Sequence, residues 1–382
     1  MTGSKTSTGQ ALWGAAALGL VGVGATYPVA GPARFWANWL LWFLFLLTIG
    51  LGSLFIVALE HLVGSRWSVP LRRIPERLST LLLLAVPMAF VSLGALPVLY
   101  PGTRPEAAHD PVLAGKAFWL SAPFVSTRTI LCLALWLVGV AVLTGGSLRQ
   151  DRTRDPGFNV KARRFAPAFL AIFAVTLTLV AFDWISALEP KWYSDIFGVY
   201  LFAGTFLAAL AATAVSVVFL KGKGRLEGVG PSHLYNLGAY LFAFTVFWSY
   251  IAFAQYLLMW YGDMPEEVFW YKERLAGSWL GVALLLGVVH FLIPFFALIP
   301  RDAKGDTRRL FRVAVLMLAA HVLDLYWLIF PVLGPPRLSW PELSFALFFI
   351  SGGLLWVRAA MERGEDMPAG DPFLREGLEF RL

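Results

Sequence analysis

His321 and Asp324 stand three residues apart in MLAAHVLDLYWLIFP, Met317 to Pro331, a stretch apolar enough to lie in lipid. Positions i and i+3 share a helix face, so the carboxylate can hold the imidazole. A second histidine, His290, lies in GVVHFLIPFF ahead of Pro294, a residue that frees a backbone carbonyl and kinks membrane helices. A charge at the bilayer centre costs on the order of 3 kcal/mol on insertion scales, so such residues need a reason. Proton transfer is one, because it requires titratable groups at successive depths. Further candidates extend this set toward both faces: Glu60 and His61 at one end, and Asp183, Ser249, Gln255, Asp263, Glu266 and Glu267 toward the other. Together they outline two half-paths meeting at a cluster of His290, His321 and Asp324. Each candidate also has a plainer role. A lone intramembrane histidine serves as an interhelical hydrogen-bond partner. Arg66 or Arg72 can neutralise Glu60, and Asp183 can cap the following segment or pair with a lysine of an outer loop.

The elements that must position these groups are membrane helices. Of 382 residues 58% are hydrophobic, 15% aromatic and only 14% charged, which is too apolar for a soluble core. The chain reads as one integral membrane domain, residues 1–382, all-α and polytopic. Ten runs approach the length of about 20 residues that a bilayer needs: 11–27, 35–63, 78–99, 124–146, 166–188, 196–220, 235–261, 279–299, 310–333 and 343–357, followed by a tail at 358–382. Counting inward from the short loop between runs 8 and 9, His290 lies about ten residues deep and His321 about twelve, so at 1.5 Å per residue they share one level. Arg66, Arg72, Arg73 and Arg77, then Arg149 to Arg164, Lys221 to Arg225, and Arg301 to Arg309 place alternate loops, and both termini, on the cytoplasmic side. The first run, preceded by Lys5, is read as a retained helix because no convincing A-x-A cleavage site follows it. Trp184, Trp192, Tyr193, Trp260, Tyr261, Trp270, Tyr271, Tyr326 and Trp327 gather where runs meet the outer face, which reads mostly as a headgroup belt.

Other chemistries are excluded or weakened. The net charge of +7 sits in loops beside hydrophobic runs, where it sets orientation, so no nucleic acid is expected. The single cysteine, Cys132, leaves no disulfide framework, metal–thiolate cluster or CxxCH haem attachment. Bis-histidine haem ligation by two of His61, His290 and His321 is weakened, because axial pairs share one level and His61 lies near one face while the other two are central. No nucleotide loop, HExxH or serine elbow is present, and no metal site is expected. A quinone pocket near His290 and Asp324 remains open. A secondary transporter also fits ten runs with interior ionisable groups, although no matched pair of broken helices is visible.

FDWISALEPKWYSDIFGVYLF (Phe182 to Phe202), FAFTVFWSYIAFAQYLLMWYGDMPEE (Phe242 to Glu267), VHFLIPF (Val289 to Phe295) and HVLDLYW (His321 to Trp327) resemble the F subunit of bacterial alternative complex III. That complex is a quinol:cytochrome c or copper-protein oxidoreductase, and its C and F subunits belong to the polysulfide-reductase-type membrane family. The likeness implies two four-helix bundles, runs 2–5 and 6–9, with the first and last helices peripheral. It implies residence in the bacterial inner membrane, haem c and iron–sulfur clusters in partner subunits, and a paralogous C subunit that holds the quinol site. This chain would then be structural and proton-conducting, non-catalytic by itself, in contact with lipid and the quinone pool. Asp183, Gln255, Glu266, Glu267, His290, His321 and Asp324 match the family blocks. Asp263 departs from the family's asparagine, and Glu60 and His61 lie outside the blocks.

Overall fold

The computed structural model describes residues 3–382, with side chains from residue 9 onward, so the side chain of Lys5 lies outside the described residues. Among these, ten helices are long and apolar enough to cross a bilayer: α1 Gly9–Ala30, α2 Pro32–Val63, α3 Val69–Leu99, α4 Ala122–Thr153, α5 Gly157–Leu188, α6 Phe197–Gly222, α7 Pro231–Gly262, α8 Gly277–Leu298, α9 Thr307–Leu333 and α10 Trp340–Met361. No strand occurs among the described residues. The chain is an all-α, multi-pass membrane protein. Helices satisfy their own backbone groups where no water is present, which is why lipid selects them.

The two most deeply buried helices, α2 and α6, pack against each other at the centre. Around α2 lie α3 and α5, with α4 against both of those; around α6 lie α7 and α9, with α8 against both of those. Helices α1 and α10 pair with each other on the flank of α2. Close approach of the central pair depends on Gly52, where a Cβ would lie 2.5 Å from the Thr205 carbonyl oxygen and 2.8 Å from Ala209 Cβ. Gly52→Val is therefore expected to prise α2 from α6 and to lower stability by roughly 1–3 kcal/mol, read as an earlier thermal transition in detergent.

On the face carrying the arginine-rich loops, the helices run further than hydropathy suggests. Helix α3 begins at Val69 rather than near residue 78, and α4 continues to Thr153 rather than ending near 146. Burial of ion pairs explains the difference: Arg73 is fully buried, with Glu76 at 2.6 Å and Asp151 at 2.5 Å. The tail beyond residue 358 folds back on the chain's own basic loops. Asp371 binds Arg72 at 2.5 Å and Asn159 at 3.1 Å, while Asp366 receives both Arg77 and Arg225.

The aromatic belt also needs correction. Tyr193, Trp260 and Tyr261 are exposed as a belt requires, but Trp184, Trp192, Trp270, Tyr271, Tyr326 and Trp327 are buried. Trp192 and Trp270 stack at 4.4 Å, and Trp327 meets Trp270 edge-on at 5.3 Å. These rings pack the outer ends of the helices together, an interior use that amphipathic spacing does not distinguish from anchoring.

Candidate functional site

Helices α8 and α9 bring His290, His321 and Asp324 together as the loop count requires. One donor atom from each lies within 4.8 Å of the other two, and all three residues are buried. That separation suits proton exchange through one bridging water. Locally, His290 lies in a π-helical turn, Gly287–Leu292, just before Pro294. The wider turn re-aims a side chain that an unbroken α-helix would place elsewhere, a recurrent feature of functional sites.

The partners within the cluster differ from expectation. Asp324 does not clamp His321. Its Oδ1 accepts a hydrogen bond from the Tyr200 hydroxyl at 2.5 Å and its Oδ2 one from Trp248 Nε1 at 3.3 Å. His321 Nε2 instead bonds the Thr48 hydroxyl at 2.9 Å. Trp248 also lies edge-on to His290 at 3.9 Å between ring centroids. Helix α6 closes the site through Gly204, where a Cβ would stand 3.4 Å from His321 Cε1 and 3.6 Å from Asp324 Oδ2. Both ring nitrogens of His290 and Nδ1 of His321 have no hydrogen-bond partner among the described residues. No Lys or Arg forms an ion pair with Asp324 there. Five helices, α2, α6, α7, α8 and α9, thus surround one buried carboxylate, two imidazoles and a phenol.

Asp183 belongs to a different arrangement. It occupies a second π-helical turn, Ala181–Ile185, and both its oxygens are bound by Arg128 at 2.8 Å. Arg128 also donates to the Trp119 carbonyl at 2.9 Å and lies over the Trp119 and Phe124 rings. Its partner is therefore an arginine inside α4 rather than a loop lysine, and no hydrogen bond among the described residues joins it to the cluster.

Gln255 lies on the side of the site away from the arginine-rich loops, accepting from Ser194 at 3.4 Å and donating to the Tyr271 hydroxyl at 3.1 Å. Asp263, Glu266 and Glu267 are placed at the start of the short outer helix Pro265–Arg274, Asp263 and Glu266 exposed and Glu267 half-buried. Ser249 is half-buried and donates only to the Val246 carbonyl of its own helix. On the basic face Glu60 is buried and accepts from Ser68, while Arg72 and Arg66 turn instead to Asp371 and Glu376. His61 lies edge-on to Phe158 at 5.7 Å. Between Glu60 and the cluster the α2–α6 seam is mostly apolar, with Phe55 packed on Phe202 and Phe206.

Thr48, Tyr200, Gly204, Trp248 and Arg128 escaped sequence reasoning, as did a second outer group. Arg274, fully buried, donates to Glu189 at 2.5 Å and to the Leu328 carbonyl at 3.1 Å, one turn beyond Asp324 on α9. Beside it, partial burial and then the neighbouring Glu189 carboxylate push Glu273 up to about 7. A carboxyl raised on folding binds its proton more tightly folded than unfolded, so the stability it adds is complete below its ordinary 4.5 and lost as pH rises through about 7. The melting temperature is expected to fall slightly across that window, and the fall should be absent in Glu273→Gln.

No family model matches the chain, and no curated protein matches it in sequence. Fold and site together define an integral membrane protein built around a buried His–His–Asp cluster.

Proposed function

We propose that this chain is the F-type membrane subunit of a respiratory quinol:electron acceptor oxidoreductase of the alternative complex III kind, and that its His290–His321–Asp324 cluster is the midpoint of a proton route. The observation that carries the reading is the convergence of three titratable side chains inside lipid without a neutralising cation. Structural demand alone would be met more cheaply by leucine. The resemblance blocks support the assignment to a complex, because all four contribute to one region. The first supplies Tyr200 and Ser194, the second Trp248 and Gln255, the third His290, and the fourth His321, Asp324 and Trp327.

On this reading the protein resides in the bacterial inner membrane with both termini cytoplasmic. The haem c and iron–sulfur carriers lie in partner subunits, and the paralogous C subunit oxidises the quinol. A quinone pocket at His290 and Asp324 is disfavoured, since Trp248, Gly204, Thr48 and Tyr200 already line the cluster closely. A photoreactive quinone analogue should accordingly label a companion subunit rather than this chain near His290. The outer exit is assigned to Tyr200, Gln255 and Tyr271, and the cytoplasmic mouth to Glu60; the apolar α2–α6 seam between Glu60 and the cluster supplies no titratable stage. The decisive experiment isolates the complex with His321→Leu and Asp324→Leu and measures assembly and proton translocation in proteoliposomes; unaltered translocation in both would end the relay reading.

A further inference from the structure

On the basic face, three arginines of α9 stand apart from the ion pairs that bind the tail. Arg308, Arg309 and Arg312 are exposed, and none forms an ion pair with an acid among the described residues. They contrast with Arg72, Arg77 and Arg225, whose charges the tail neutralises through Asp371 and Asp366. Asp306, which borders one of the grooves beside these arginines, is engaged as the cap of α9, accepting from the Arg309 backbone N–H at 2.7 Å. Two apolar grooves flank the same arginines. One, of about 430 Å³, runs between Ile293 and Ala297 of α8 and Val313 and Leu316 of α9. The other, of about 280 Å³, lies between Val218 of α6 and Phe311 of α9. Arg308 and Arg312 border both.

We propose that this double groove binds an anionic phospholipid, with its phosphate on Arg308 and Arg312 and an acyl chain along each side of α9. Guanidinium groups match phosphate oxygens in bidentate geometry. The N-terminal end of α9 adds the favourable end of a helix dipole. Helix walls of Ile, Val, Leu and Phe suit hydrocarbon, and basic pockets between membrane helices are recognised headgroup sites. A soluble phosphate would use the arginines but leave the grooves unfilled. A lipid uses both. The site lies at the ends of α8 and α9, so an occupant would brace the two helices that carry His290 and His321; the binding claim itself does not depend on the proton route.

The test is native mass spectrometry of the full chain titrated with phosphatidylglycerol or phosphatidylcholine, with melting temperature as the folding control. Wild type should retain phosphatidylglycerol selectively. Arg308→Gln, Arg309→Gln and Arg312→Gln combined should weaken retention more than tenfold, given roughly fivefold for each basic charge near a headgroup. Ala297→Trp, which fills one groove and keeps every charge, should weaken it too. Arg149→Gln with Arg152→Gln removes charge from the same face elsewhere and should leave retention unchanged. Selective retention that survives the triple change, or an equal loss in the Arg149/Arg152 control, overturns the site. Competition by inorganic phosphate alone, with Ala297→Trp behaving as wild type, also overturns it and assigns the arginines to a free anion.

Discussion

Arg128→Leu is expected to cost about 3–5 kcal/mol because it strands a buried carboxylate. Arg128 and Asp183 are both nearly inaccessible, and their contact is bidentate, with two 2.8 Å bonds. Removing the guanidinium leaves Asp183 facing Leu133, Trp136 and Trp184 across a small apolar cavity. The chain should then be lost from membranes or recovered only as aggregate. The informative partner is the double change Arg128→Leu with Asp183→Leu, which removes both charges together and is expected to recover most of the stability, since an ion pair in low dielectric nets little over a well-packed apolar pair. Quantitative immunoblotting of membranes, followed by thermal unfolding in detergent, separates these outcomes. A single variant as abundant and as heat-resistant as wild type would show that the pair is dispensable. Recovery in the double variant with translocation intact would fix Asp183 as a brace between α4 and α5, rather than a stage in proton movement.

That assignment shows where sequence stops being informative. Hydropathy revealed ten helices because each must present some 20 apolar residues to lipid whatever its neighbours do. It misjudged the ends of α3 and α4 because Arg73, Glu76 and Asp151 cancel one another inside the fold, a compensation invisible to any window that counts charges singly. His290, His321 and Asp324 were legible as a set because a short loop fixes the relative depth of adjoining helices. Their partners were not. Thr48, Tyr200 and Trp248 come from α2, α6 and α7, and which helix faces α9 is decided by packing at glycines such as Gly52 and Gly204. The His321–Asp324 clamp inferred from i,i+3 spacing gave way for the same reason: a Tyr hydroxyl and an indole N–H from neighbouring helices reach the carboxylate. Arg128 gives no signal because it lies within an apolar run, so the sequence offers Asp183 only a cap or a loop lysine as partner. The acids Asp263, Glu266 and Glu267 attracted notice by their density in sequence, whereas the outer acid–base contact in the fold is Glu189 with Arg274, assembled from residues far apart in the chain.

If the cluster relays protons as proposed, Asp324→Asn should abolish translocation, by about a hundredfold or more, with the proposed complex still assembled. The amide is close to isosteric, and its oxygen can still accept from Tyr200 at the position where Oδ1 now lies 2.5 Å from the phenol. What it cannot do is take up and release a proton. Asp324→Leu, by contrast, removes charge and acceptor together and leaves the Tyr200 hydroxyl and Trp248 N–H unsatisfied in lipid, so any loss of function there is mixed with loss of structure. Tyr200→Phe tests the neighbouring step. It deletes one donor to Asp324 and should slow translocation by far less than Asp324→Asn if the phenol positions the carboxylate, but equally if the phenol itself carries the proton outward toward Tyr271 and Gln255. Thr48→Val removes the hydrogen bond to His321 Nε2 and frees the imidazole to turn, so it should lower the rate without changing which side of the membrane acidifies. Measured in proteoliposomes against electron transfer by the same preparation, the four variants separate a relay from a scaffold, because only a relay makes Asp324→Asn silent in protons while electrons still flow or makes both stop together with assembly preserved. Wild-type proton yield in Asp324→Asn would leave the buried cluster as a device for holding α8 and α9 together.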